Sequence, residues 1–219
     1  VICLALTVWL AIVHPGGGKV RDPEPARLSD VGRMLVRPEF MLFIGAIGLA
    51  QSSHAVLYAY GSLHWAGLGL SEGTIGGLWA FAVAVEVILM LVFGAALIRV
   101  FGPVGAIALS AAAGVIRWGA MAFDPTGTAL WALQALHGFT FAAGHLGGIA
   151  FIAAAVPERL AASAQGMFSS AIGGILVAVA MAIAAVVYPV AGGGTYWIAF
   201  AMSCGGLVLA AVLHKTWAR

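Results

Sequence analysis

The sequence has 219 residues, of which 63% are hydrophobic and 8% are charged, and its formal net charge is +2 at pH 7. An ordinary soluble domain has roughly 45–50% apolar and about 25% charged residues, so burial in lipid explains this composition better than a soluble fold. The small, scattered charge is unlike a nucleic-acid interface, and we expect no nucleic-acid partner. Cys3 and Cys204 lie in apolar stretches without CxxC spacing, which indicates packed thiols rather than a disulfide or metal pair.

The first 13 residues form an apolar run that is shorter than a membrane span. At about 1.5 Å per residue, they cover about 20 Å of a hydrocarbon core that is roughly 30 Å thick. The run lacks an initiator Met, a basic leader and a small-residue cleavage site, which argues against a signal peptide. We therefore expect residues 1–13 to be the end of a truncated transmembrane helix, and the chain to be part of a longer protein.

Residues 14–38 are polar, with many charged residues, prolines and glycines, which is typical of a solvated linker. Within this linker, residues 29–36 fit a short surface helix. Apolar segments that are each long enough to span a bilayer follow at 39–65, 74–98, 104–123, 128–156, 163–189 and 195–214. The sequence therefore predicts an all-α integral membrane protein, with a six-helix transmembrane bundle at 39–214 and a short tail at 215–219.

Basic residues outside the apolar segments fall on alternate sides of this predicted bundle. The linker, the loops at Arg99 and Arg159, and the tail together contain nine Lys or Arg residues, whereas the opposite loops contain none. Because basic residues are retained on the cytoplasmic side, we expect the linker and the C-terminus to be cytoplasmic. A bacterial inner (plasma) membrane fits this arrangement.

A short pattern occurs twice in the chain, at a constant offset of 83 residues. Its first copy is Gln51, His54, Tyr58 and Gly61, and its second copy is Gln134, His137, Phe141 and Gly144. Three predicted helices separate the copies, so the two copies run in opposite directions through the membrane. Inverted 3+3 helix repeats of this kind build many secondary transporters, in which the solute site lies at the repeat interface.

Ionisable residues inside the apolar segments are few, as expected if a charge at the bilayer centre costs about 2.5–3.5 kcal/mol. Counting inward from the outer ends places His54, Glu86 and His137 about 14–18 Å deep, Arg117 about 10 Å deep and His145 about 25 Å deep. A carboxylate, an arginine and a histidine at one depth can exchange a proton as solvent access changes. We expect Glu86 to pair with Arg117; a purely structural ion pair that fixes helix register is the alternative.

Polar and aromatic side chains also line one face of two predicted helices. They are the candidate solute-binding residues Gln51, His54, Tyr58, Gln134, Phe141 and His145. For His54 and His137, a neutral ring hydrogen-bonded across helices is the alternative to a ligand-binding or proton-relay role. A haem-binding membrane electron carrier, which would use these two histidines as axial ligands, is a rival function. His64 and His214, near segment ends, are expected at the membrane interface. No HExxH or GxSxG pattern is present, so we expect neither a metal or cofactor nor an enzyme.

Several stretches resemble the C-terminal half of major facilitator superfamily carriers, in the phenylpropionate-transporter-like branch related to lactose permease-type proton symporters. These stretches are residues 51–66, 85–91, 116–119, 135–153 and 156–171. The resemblance implies a twelve-helix carrier of which this chain supplies helices seven to twelve, with a missing N-terminal six-helix half as its partner. It also implies a secondary active transporter that couples a small organic solute, such as an aromatic carboxylate, to protons by alternating access.

The resemblance makes Glu86, Arg117 and His137 similar to the proton-coupling cluster of the lactose permease type. Two positions differ from that pattern. The sugar carriers have a carboxylate three residues after the matching histidine, where this chain has Thr140, so proton acceptance is expected at Glu86. The loop near Arg99 lacks the acidic residue of the superfamily's gating motif. A sugar or nucleoside proton symporter of the same superfamily is the alternative function.

Overall fold

The computed structural model describes residues 9, 12, 13 and 27–217, and the long elements among them are all helical. In chain order these are α1 (Leu28–Leu35), α2 (Pro38–Ser52), α3 (Ala55–Gly67), α4 (Glu72–Ile88), α5 (Gly94–Met121), α6 (Gly127–Ala135), α7 (Gly144–Ala155), α8 (Glu158–Gly173), α9 (Ile175–Ala191) and α10 (Tyr196–Trp217). Segments of π-helix at Leu89–Phe93 and Gly138–Ala143 join α4 to α5 and α6 to α7, and a 3-10 turn at Gly192–Thr195 precedes α10. The expected all-α class is confirmed. Most of the expected helix end at 1–13, residues 14–26 of the linker and the last two residues of the tail lie outside the described residues.

Four helical stretches are long and apolar enough to cross a membrane. They are Pro38–Gly67, Glu72–Met121, Gly127–Ala155 and Glu158–Trp217, with lengths of 30, 50, 29 and 60 residues. The second and fourth measure about 75–90 Å, two to three times the roughly 30 Å hydrocarbon core. A glycine with positive φ interrupts each of these two, Gly102 at 66° and Gly192 at 51°, where the sequence predicted breaks.

The first expected span, residues 39–65, is not one uninterrupted helix. The chain turns at Ser53 and His54, between α2 and α3. The Ser53 hydroxyl donates to the Ala50 carbonyl (2.6 Å), and His54 Nδ1 lies 2.9 Å from the Gln51 carbonyl oxygen. These side chains compete for carbonyls that a regular helix pairs with backbone N–H groups, which explains the turn.

The fifth expected span, residues 163–189, begins earlier and is divided. Helix α8 starts at Glu158, directly after Pro157, and Gly174 separates it from α9. Proline suits the start of a helix because its missing N–H would have no partner there.

The predicted surface helix in the linker is present as α1, and it packs against the bundle. Met34 is 4% exposed and belongs to an apolar cluster of the bundle. Asp30 accepts a hydrogen bond from Arg33, and its carboxylate lies 3.9 Å from Arg159 of α8. The Arg33 guanidinium lowers the pKa of the Asp30 carboxyl. An apolar contact and a charged contact therefore hold α1 to the bundle.

Two apolar clusters form most of the core, and a polar layer separates them along the helices. The first cluster includes Phe43, Ile47, Ile107, Phe151 and Phe168, and the second includes Leu57, Leu78, Trp118, Leu130 and Tyr196. Along α2 and α3, the buried polar residues Gln51–His54 lie between members of the two clusters. Ser110 and Arg117 occupy the corresponding position in α5. The polar layer is therefore covered by apolar side chains on both sides.

Glycines bring the helices close together. A Cβ at Gly148 would lie 2.5 Å from Cε2 and 2.8 Å from Cζ of the Phe168 ring. Phe168 is only 3% exposed, so its ring has little room to move. The contact between α7 and α8 thus depends on the absence of a side chain at Gly148.

We expect Gly148→Ala to destabilise the bundle by about 1–3 kcal/mol, because the added methyl group forces the enclosed Phe168 ring to shift. Gly166→Ala in α8 is the matched control, since no described heavy atom lies within 4 Å of a Cβ there. Thermal unfolding of both variants in the same detergent measures the difference. Equal melting temperatures for the two variants would contradict this packing.

Candidate functional site

The polar layer is built around Arg117, which is 0% exposed. Its Nη1 donates to His137 Nδ1 (3.1 Å) and to Thr140 Oγ1 (3.0 Å). Its Nη2 donates to Gln134 Oε1 (2.6 Å), and the guanidinium carbon lies 4.4 Å from the centre of the Trp118 ring. A buried cation needs such hydrogen bonds and a compensating charge to offset its lost hydration. Side chains of the polar layer supply the hydrogen bonds.

His137 connects Arg117 to Glu86. Its Nε2 lies 3.1 Å from Oε2 of Glu86, while its Nδ1 faces Arg117 Nη1. Because an arginine only donates, Nδ1 must accept, and the single hydrogen of a neutral imidazole is then on Nε2. A protonated ring would place an N–H group of Nδ1 against an N–H group of Arg117. The geometry therefore favours a neutral His137 that donates to Glu86.

The direct ion pair that the sequence predicted between Glu86 and Arg117 is not present. Of the described residues, His137 pairs with Glu86, and Arg117 reaches that carboxylate only through the imidazole ring. The depth estimate correctly placed the three residues in one layer, but it could not indicate that the ring stands between the two charges. Glu86 is the more open end of this series, with 17% of its side chain exposed against 6% for His137.

Thr140 connects the same arginine to His54. Its Oγ1 accepts from Arg117 Nη1 and lies 3.0 Å from His54 Nε2. His54 Nδ1 faces the Gln51 carbonyl oxygen, so Nδ1 carries a hydrogen. The Thr140 hydroxyl has two acceptors within reach, His54 Nε2 and the carbonyl oxygen of His137 (3.2 Å). His54 is 1% exposed. A second uncompensated cation this close to Arg117 would be costly, which favours a neutral His54 ring that is hydrogen-bonded across helices.

Three of the predicted solute-binding residues are enclosed in the bundle. Gln51, His54 and Gln134 are at most 4% exposed. The amide of Gln51 donates to the carbonyl of Phe141 (2.9 Å), and that of Gln134 donates to the carbonyl of Leu78 (3.4 Å). In this conformation they contact other parts of the bundle, and their contact with a solute stays a prediction.

The other three predicted solute-binding residues lie with Glu86 on a more open surface, which we call the open face (Tyr58, Glu86, Phe141 and His145). Tyr58 is 46% exposed, while Phe141 and His145 are partly buried. The rings of His137, Phe141 and His145 stack in that order, with centroids 5.6 Å and 6.1 Å apart. The open face therefore presents aromatic rings beside the carboxyl group of Glu86.

His64, which the sequence places near the membrane interface, is paired with Asp124 at the end of α3. His64 is 7% exposed, and its Nε2 lies 2.8 Å from Oδ1 of Asp124, with the Tyr188 hydroxyl 3.4 Å from Nδ1. The pair joins the end of α3 to the turn between α5 and α6.

The geometry of His54 and His137 does not fit haem ligation. Their ring centroids are 5.3 Å apart at an interplanar angle of 80°. All four ring nitrogens face protein partners: a carbonyl, a hydroxyl, a guanidinium and a carboxylate. Axial ligation needs one unengaged nitrogen from each ring. The haem alternative is therefore not supported.

Comparison with known proteins agrees with the family resemblance. The chain matches the model of the MFS_1 like family over residues 11–199. It is 30% identical over 156 residues to the probable 3-phenylpropionic acid transporter of Escherichia coli strain K12. That alignment covers 71% of this chain and 41% of the relative, so the chain spans about two fifths of the relative's length. No solved structure matches the chain. The chain belongs to the MFS_1 like family, in the phenylpropionate-transporter-like branch of the major facilitator superfamily.

Proposed function

We propose that this chain is the C-terminal half of a proton-coupled carrier for a small organic solute, such as an aromatic carboxylate. The observation that carries the proposal is the hydrogen-bonded series from Glu86 through His137 to Arg117, inside an apolar bundle. Ionisable residues in a membrane are costly and commonly serve the path of a solute or an ion. The description of the relative as a probable 3-phenylpropionic acid transporter supports the solute class.

Glu86 is the proton acceptor in this proposal because it can change protonation without breaking the series. When its carboxylate is charged, Oε2 accepts the hydrogen of His137 Nε2. When Oε1 carries a proton, Oε2 still accepts the same hydrogen bond. His137 cannot take up a proton at Nδ1 unless Arg117 moves away. The proton therefore goes to the open end of the series.

Charge balance couples that proton to an anionic solute. With Glu86 ionised, the carboxylate and Arg117 compensate each other through His137. Protonation of Glu86 leaves the positive charge of Arg117 uncompensated in an apolar environment, and an anion on the open face restores neutrality. Proton uptake and anion binding therefore favour each other, and this reciprocity is what symport requires. The rings of Tyr58 and Phe141 would contact the apolar part of the solute.

The same proposal accounts for the lengths of the helical stretches. The 50-residue and 60-residue stretches each cross the bilayer twice, turning at Gly102 and Gly192. Residues 39–214 then make six crossings as two inverted three-helix repeats. A six-helix N-terminal half completes the carrier, and rocking of the two halves alternates access to the open face.

We expect Glu86→Gln to abolish proton-driven accumulation while sparing exchange of solute down its own gradient. Glutamine keeps an oxygen that accepts from His137, but it neither takes up nor releases a proton. Uptake of 3-phenylpropionate, a sugar and a nucleoside by the intact carrier in proteoliposomes, with and without a proton gradient, measures both activities and tests the alternative solutes. Glu72→Gln, at the exposed start of α4, is the matched control. If Glu86→Gln still accumulates solute against a gradient, Glu86 is not the coupling site. The cluster of Glu86, His137 and Arg117 then has a purely structural role.

We expect residues 1–219 alone to be inactive in transport, because the open face then lacks the other wall of the solute path. Reconstitution of this chain by itself, and together with the N-terminal half of the carrier, measures the difference. Gradient-driven uptake by the chain alone at the rate of the paired halves would refute the proposed partner.

We expect the linker to be cytoplasmic and the turn before α4 to be external. In a cysteine-free background, Ser29→Cys in α1 and Gly73→Cys in α4 place exposed thiols at these two sites. A membrane-impermeant maleimide added to intact cells should label position 73 only. Labelling of position 29 and not 73 would reverse the proposed orientation.

A further inference from the structure

The π-helical segment Gly138–Ala143 lies within the proton-coupling cluster. It begins directly after His137 and contains Thr140, and these two residues share Nη1 of Arg117. A π-helical turn holds more residues than an α-helical turn, so its carbonyls are displaced from their usual helical partners. In a membrane such carbonyls need other donors.

Two carbonyls of this segment accept hydrogen bonds from side chains of other helices. The Ser110 hydroxyl of α5 donates to the carbonyl of Thr140 (2.6 Å). The Gln51 amide of α2 donates to the carbonyl of Phe141 (2.9 Å). Ser110 and Gln51 are 1% and 4% exposed, so water does not compete for these bonds. Two consecutive residues of the π-helical segment are thus held from two different helices.

Gly144 leaves the space that both donors occupy. A Cβ at this position would overlap Nε2 of Gln51 and would lie 2.7 Å from Oγ of Ser110. The glycine directly follows the π-helical segment. Any side chain there would push one donor, or both, away from the carbonyls.

We propose that Ser110, Gln51 and Gly144 are positioning residues, which fix the π-helical segment so that His137 and Thr140 both reach Arg117. This inference rests on the proposed function, because it assigns these residues to the proton-coupling cluster. It also gives Gln51 a role different from the solute contact that the sequence suggested. In this role the three residues act through the backbone that carries His137 and Thr140.

A purely structural role is the competing explanation, and the chain contains a matched control for it. The Ser52 hydroxyl of α2 donates to the carbonyl of Ala171 in α8 (3.2 Å). Like the bond of Ser110, this bond joins a serine hydroxyl to a backbone carbonyl of another helix. That bond is outside the π-helical segment and touches no member of the cluster. Ser52→Ala therefore removes a similar contact without disturbing the arrangement around Arg117.

The first test measures transport by the intact carrier in proteoliposomes. We expect Ser110→Ala to lower the rate of proton-driven accumulation by roughly tenfold or more, since small displacements of reacting groups have large effects on rate. The KM for solute exchange should change by less than about twofold, because the open face is untouched. Gln51→Met, which keeps the length and removes the donor, should lower the rate of accumulation to a similar extent. Equal losses in Ser110→Ala and Ser52→Ala, or an unchanged rate in both Ser110→Ala and Gln51→Met, would overturn the inference.

The second test does not depend on transport. With ¹⁵N-labelled histidine, His137 in the wild-type carrier should show an accepting Nδ1 and a protonated Nε2, identified by the loss of these signals in His137→Gln. Ser110→Ala or Gln51→Met should shift or broaden these signals, and Ser52→Ala should leave them unchanged. If the signals respond in this way but the wild-type carrier moves no solute, the proposed function fails and the positioning role stands. If transport is coupled but neither variant alters the signals, the positioning role fails.

Discussion

The charge of Arg117 lies in the apolar interior, and the arrangement of the surrounding helices depends on how that charge is compensated. A guanidinium with 0% exposure requires partners that the bundle itself supplies. Those partners, His137, Thr140 and Gln134, all come from the stretch Gly127–Ala155, which is thereby fixed against α5. The Trp118 ring beside the guanidinium donates in turn to Ser53, which connects the turn between α2 and α3 to the same centre.

Small residues and π-helical turns make this compensation geometrically possible. A Cβ at Gly138 would lie 3.0 Å from Cγ1 and 3.3 Å from the carbonyl oxygen of Val85, so the two backbones approach closely next to Glu86 and His137. This approach lets a short carboxyl side chain reach the imidazole of another helix. One π-helical segment follows Glu86 and the other follows His137, and such turns are often found at functional sites. The close approach of the two backbones and the pairing of Glu86 with His137 therefore occur at the same place in the bundle.

The sequence was sufficient to predict the helical class, the breaks at Gly102 and Gly192, and the layer that contains Glu86, Arg117 and His137. These features follow from hydrophobic length and from the cost of burying charge, which are local properties of the chain. The partners within that layer could not be predicted, because depth along a helix does not fix rotation about its axis. The sequence therefore predicted a direct pair of Glu86 with Arg117.

The turn at Ser53 and the π-helical segments were also missed. Both depend on side chains that compete for backbone carbonyls, and part of that competition comes from distant helices, as for Ser110 and Gln51. A sequence pattern within one segment carries no information about such donors. Thr140 was recognised only as a departure from a family pattern, although it joins Arg117 to His54 in the structure.

The central claim is that Glu86 gains and loses the coupled proton. Glu86 is the more exposed end of the hydrogen-bonded series that runs through His137 to Arg117. Infrared difference spectroscopy of the intact carrier at low and high pH tests it most directly, because a protonated carboxyl has a C=O stretch distinct from that of a carboxylate. The account predicts a protonated-carboxyl band at low pH that disappears in Glu86→Gln and persists in Glu72→Gln. A band that is unchanged in Glu86→Gln would contradict the account.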